Sequence, residues 1–148
     1  MTQDGAPVPS PPAAGSYTPG STYTFLLRIF EQEAATRCNP AMRNVCFPAI
    51  PLPALACQFG FEMTAVVDAS CSLGTPARAG CFTSTTADTQ DVGAGGICSP
   101  TNLNLQYMAH TCAGTVPPAG LPGERSWTLD WTAPPAGTGR VHFYYVVN

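Results

Sequence analysis

Seven cysteines and two histidines are the side chains of this 148-residue sequence with the widest chemical reach. The cysteines, Cys38, Cys46, Cys57, Cys71, Cys81, Cys98 and Cys112, include no pair at C-x-x-C spacing. Zinc ribbons, redox dithiols and covalent c-type haem sites need such close pairs, so those readings lose support. All seven are therefore disulfide candidates, which implies an oxidising compartment, extracellular or periplasmic. Cys38 and Cys46 form one candidate pair, and Cys71 and Cys81, flanking SLGTPARAG, can close a hairpin-like loop. An odd count leaves one thiol either buried or paired with another chain, and burial as a small apolar group is the expected outcome.

His110 alternates with Met108 and Cys112 on one face of an apolar stretch, and His, Met and Cys together can ligate copper or haem iron. The simpler reading is a histidine bonded to backbone near a disulfide, because one such cluster matches no fixed ligand spacing. His110 is kept as a candidate polar site. His142 falls on the polar face of an end strand, where solvent satisfies it. Asp88 and Asp91 with Thr85, Thr86 and Thr89 offer oxygen ligands, but without the spacing of a calcium loop they read as solvated turn residues. There is no G-x-S-x-G elbow and no Cys/His pair with a clear third member. The GAGG run at 93–96 lacks the glycine spacing of a phosphate cradle and reads as a turn. No catalytic residue, cofactor or metal site is expected.

Charge narrows the partners. Lysine is absent, the six arginines are scattered, and the net charge is -3, so no basic stripe for a phosphate backbone exists. Nucleic acid is not an expected partner. No stretch approaches the roughly 20 apolar residues of a membrane-spanning helix. The N-terminus carries no basic region followed by an apolar one, and the chain is expected to be a mature form or to carry an added Met1.

The elements that must position these residues read as strands. Charged residues make up only 10% of the chain, and 16 prolines and 14 glycines punctuate it, which disfavours long surface helices. Residues 1–20 hold Pro7, Pro9, Pro11, Pro12 and Pro19 and read as an extended tail against its own domain or a neighbouring subunit. Period-2 alternation then places Tyr23, Phe25, Leu27 and Ile29 on one face of a first strand. Phe59, Phe61, Met63, Ala65 and Val67 share a face of a second. Leu103, Leu105, Tyr107, Ala109 and Thr111 share a face of a third. Between them run a long loop, Glu31 to Ala56, and a Gly/Ser/Thr-rich stretch, Ser70 to Asp91.

The closing WTLDWTAPPAGTGRVHFYYVVN places Trp127, Leu129 and Trp131 on one face, and Val141, Phe143, Tyr145 and Val147 on another. Across Pro134, Pro135, Gly137 and Gly139 these two runs read as a hairpin packed on the core, with the tryptophans as core residues. The sum is one domain over 21–148, an all-β antiparallel sandwich with long Pro/Gly-rich loops tied by disulfides.

The series PG-STYTF, GFEMTAV, GCF, LQYMAHTCAG and WTLDWTAPPAGTGRVHFYYVV resembles the reeler domain family and its bacterial relatives, over roughly Tyr17 to Val147. The most specific parts are the His110-Thr111 pair and the closing W-T-A-P, G-T-G and V-x-F. The resemblance implies an immunoglobulin-like sandwich in a secreted or cell-surface protein. It implies a module for adhesion, matrix contact or assembly, with other protein subunits as partners in a homo-oligomer or larger complex, and no catalytic site. The Cys-bearing insertion at Glu31 to Ala56 departs from the family pattern. Some bacterial relatives carry a haem-attachment C-x-x-C-H near this domain, and this chain has none. An accessory subunit of an electron-transfer or photosynthetic membrane complex is the alternative reading.

Overall fold

The computed structural model describes residues 2–3 and 6–7 as backbone, and residues 16–31, 59–68, 76–92, 104–115, 117–118 and 123–148 in full. Nine strands are described: β1 (Thr2–Gln3), β2 (Ala6–Pro7), β3 (Thr22–Phe30), β4 (Phe61–Val67), β5 (Cys81–Ser84), β6 (Thr89–Asp91), β7 (Met108–His110), β8 (Glu124–Thr132) and β9 (Val141–Val147). A 3-10 turn covers Ala113–Thr115. One sheet has the order β3-β8-β5 and the other β6-β7-β4-β9, with every pairing antiparallel.

The inner faces follow the alternation where it was strongest. Trp127, Leu129 and Trp131 are buried from β8, Phe61, Met63 and Ala65 from β4, and Phe25 from β3, with Tyr23, Leu27 and Ile29 packed against them. Both indole N–H groups donate to main-chain oxygens, Trp127 to Gly114 and Trp131 to Ala79, each at 2.9 Å. A buried tryptophan needs such a partner, and having one makes each ring a fixed part of the core. Tyr17 joins it, standing edge-on to Trp131 at 5.9 Å with its hydroxyl donating to the Gly139 oxygen.

Four readings are corrected. β8 and β9 are not a hairpin, since they lie in opposite sheets and residues 133–140 carry the chain from one to the other. Pro134 and Pro135 offer no N–H to a ladder, and Gly137 and Gly139 hold φ of 86° and 88°, the left-handed region that lets the segment turn across the gap. The third strand is regular only over Met108–His110, and the core side is mainly the other one: Gln106 and Met108 are buried, while of the expected face Ala109 is buried and Leu105 and Tyr107 are half-buried. The stretch before Asp91 contains two short strands, β5 and β6, joined by a corner at 85–88 that also changes sheets. In the tail, β1 and β2 pair antiparallel, Thr2 opposite Pro7, where an unpaired extended backbone was expected.

Candidate interaction surface

The buried polar residues Thr64, Thr89, Gln106 and Arg125 each bond a neighbour. Gln106 is 3% exposed. Its Oε1 accepts the Phe82 N–H at 2.7 Å, and its Nε2 donates to the Phe82 oxygen and to Asp91 Oδ2, both at 2.9 Å. Phe82 stands opposite Trp131, and on β8 the odd-numbered residues turn their main-chain groups to the β3 side, as the Ala133 bond to Ser21 shows. The Phe82 N–H and C=O therefore face away from β8, and the Gln106 amide pairs them as another strand would.

A second knot closes the opposite end. Arg125 is buried; its Nε donates to the Gly114 oxygen at 2.8 Å and its guanidinium pairs with Asp88 Oδ2 at 2.5 Å. The same Gly114 oxygen accepts from Trp127. A Cβ at Gly114 would collide with the Asp88 oxygen, so the close approach of these two backbones requires glycine.

The sequence-predicted site residues have these surroundings. His110 Nδ1 lies 3.0 Å from the Phe61 N and 3.1 Å from the Phe61 oxygen, Met108 is a core residue, and Cys112 is disulfide-bonded. His110 is thus the backbone-bonded histidine of the simpler reading. His142 is not merely solvated, because its Nε2 is 2.7 Å from Asp68 Oδ1. Asp88 and Asp91 serve Arg125 and Gln106 separately. Among the described residues no three His, Cys, Asp or Glu side chains gather. Cys81, like Cys112, is disulfide-bonded; Cys38, Cys46, Cys57, Cys71 and Cys98, with residues 32–56 of the long loop, lie outside the described residues.

What the sequence reading missed is at the surface. The outer face of the β3-β8-β5 sheet carries a polar ladder, in which Thr22 bonds Thr132, Thr24 bonds Asp130 at 2.7 Å and Arg28 pairs with Glu124 at 2.6 Å, beside an exposed Phe30 that lies under the Arg28 guanidinium. That hydrogen bond, more than the charge of its partner, holds the Glu124 carboxyl below its ordinary value and Arg28 above its own. The end of β9 is different. Tyr144, Tyr145, Val146 and Val147 are consecutive and exposed, at 52%, 63%, 64% and 41%. Tyr145 and Val147 share the inner face with Phe143, yet only Val141 and Phe143 pack against the core. On the outer face, Tyr144 and Val146 border a shallow groove of about 210 Å³ with Tyr107, Thr64 and the exposed Glu62.

β9 is also an edge. It is last in its sheet, and among the described residues no strand pairs with its far side. Its register fixes which groups face outward. Gly60 and Asn148 exchange both main-chain bonds, and the Asp68 N–H donates to the Arg140 oxygen, so even-numbered residues of β9 bond β4. Val141, Phe143, Tyr145 and Val147 then present N–H and C=O to the open side. No lysine, proline or bulge blunts it.

No protein-family model matches this sequence, and no curated protein does. Among solved structures the chain is similar to the human F-spondin reeler domain, fragment 1, at 19% identity and a TM-score of 0.46, covering 88% of this chain and 66% of that one. It is similar to the Reelin-N domain of F-spondin at 20% identity and a TM-score of 0.45, covering 88% and 62%. The human fragment 2 gives 19% identity and a TM-score of 0.46, covering 99% and 75%. This chain thus spans less than two thirds of the length of the first two. The sandwich stands on its own strand order.

Proposed function

We propose that the chain is a non-catalytic adhesion or assembly module of an oxidising compartment, extracellular or periplasmic, which works by protein-protein contact through β9. The observation that carries this reading is the open edge whose last four residues, Tyr144 to Val147, are large, apolar and exposed. A contiguous apolar strand at a sheet edge is a template for pairing with another chain, and proteins that avoid such contact blunt it with charge or proline. Disulfide-bonded Cys81 and Cys112 support the compartment, because cytosolic thiols are held reduced. Disulfides that tie the long loops belong to the same proposal.

The test is site-specific photocrosslinking in the source organism. A benzoylphenylalanine at Tyr144 is expected to yield a covalent adduct with a protein chain, while one at Phe30, exposed on the other sheet, yields none. Equal yields from the two positions, or none from Tyr144, overturn the reading.

A further inference from the structure

We infer that the occupant of the β9 edge is a second copy of this chain, paired antiparallel about a two-fold axis through Tyr144. This rests on β9 being the contact strand. The open main-chain groups belong to Val141, Phe143, Tyr145 and Val147, and a strand related by a two-fold axis at Tyr144 sets Val141 opposite Val147 and Phe143 opposite Tyr145. Every outward N–H and C=O of β9 then finds a partner, and the seven residues overlap fully. The exposed aromatic Tyr145 meets Phe143 of the other copy, a cross-strand pair of the kind that stabilises sheets.

Charge complementarity selects this occupant. Arg140 precedes β9 and Glu62 lies opposite Val146 near its other end, both on the outer face by strand parity and both exposed. Neither makes an ion pair among the described residues, whereas Arg28 pairs with Glu124, Arg125 with Asp88 and His142 with Asp68. Asp68, the carboxylate in register with Arg140, is held by His142. The two-fold axis sets Arg140 of one copy opposite Asn148 of the other, two strands from Glu62. Strand spacing and rise put the two Cα atoms at about 12 Å, which an arginine and a glutamate side chain together span. Both ends of the interface receive the same pair.

Sedimentation equilibrium of the full chain over about 1 to 500 µM reads the association directly. The expected result is a monomer-dimer equilibrium. Arg140→Glu and Glu62→Arg are each expected to weaken it about tenfold, and the double swap to restore it. Tyr145→Pro removes an outward N–H and abolishes the dimer while thermal unfolding stays cooperative. A monomer throughout the range, or a dimer that survives Tyr145→Pro, overturns the inference. If the Tyr144 crosslink then joins a different protein, the contact reading stands and the self-pairing fails; if there is no crosslink, both fail.

Discussion

The side-chain amide of Gln106 and the main chain of Phe82 form a two-bond pair, 2.7 and 2.9 Å, across the gap between the two sheets. It seals the edge of β5 from inside, where no water replaces it. Gln106→Leu fills the same space but removes the amide's bonds to the Phe82 N–H and C=O, each a loss of about 1–3 kcal/mol. A fall of about 3 kcal/mol in unfolding free energy by urea denaturation is the expected outcome, with Gln106→Glu also destabilised at neutral pH, because its carboxylate would face the Phe82 oxygen and Asp91.

Arg125 is the charge most committed to the interior. Replacing it with methionine keeps most of its volume, frees the Gly114 oxygen of one donor and leaves Asp88 unpaired. Asp88 is partly exposed, so the cost falls below the 3–5 kcal/mol of a fully buried pair, at about 2 kcal/mol. Arg125→Met with Asp88→Asn is expected to recover part of that loss, and a double-mutant cycle from thermal or urea unfolding measures the coupling.

Stability depends on pH through Glu124. Its folded carboxyl is held low by the Arg28 hydrogen bond, so the pair's contribution is present above the unfolded value of about 4.3 and is lost as pH falls through the lower, folded value. Arg28 is exposed and Glu124 half-buried, and the effect is small and sensitive to salt. Glu124→Gln is expected to lower the melting temperature relative to the parent above about pH 5, with the difference vanishing near pH 2–3.

Period-2 alternation made β3 and β8 legible, because each has one face in the core and the other turned outward, and it found β4 from its inner face alone, since Thr64 and Val66 on the outer side are buried as well. The same rule places Arg125 in line with Trp127, Leu129 and Trp131, so its burial was readable from position though not from residue type. Around Gln106 the pattern misled, since an amide satisfied by Phe82 and Asp91 occupies an inward position that polarity assigns to solvent. Alternation also says which residues share a face and not whether another sheet covers it. Val141, Phe143, Tyr145 and Val147 do share one, but the core receives only the first two. The crossing of β8 to β9 was hidden for a related reason. A Pro/Gly connection fits either a hairpin or a change of sheet, and the choice is made by long-range packing, above all Phe143 against Trp131 at 4.9 Å and Phe25 at 5.0 Å.

Residue-resolved amide hydrogen exchange along β9 tests the open edge most directly. In dilute protein, the amides of His142, Tyr144 and Val146, bonded to β4, are expected to be protected, and those of Phe143, Tyr145 and Val147 to exchange rapidly. Concentrated protein is expected to protect the second set as well. Protection of Phe143, Tyr145 and Val147 already in the dilute monomer would show that the edge is covered by the chain itself, and would contradict β9 as the contact strand.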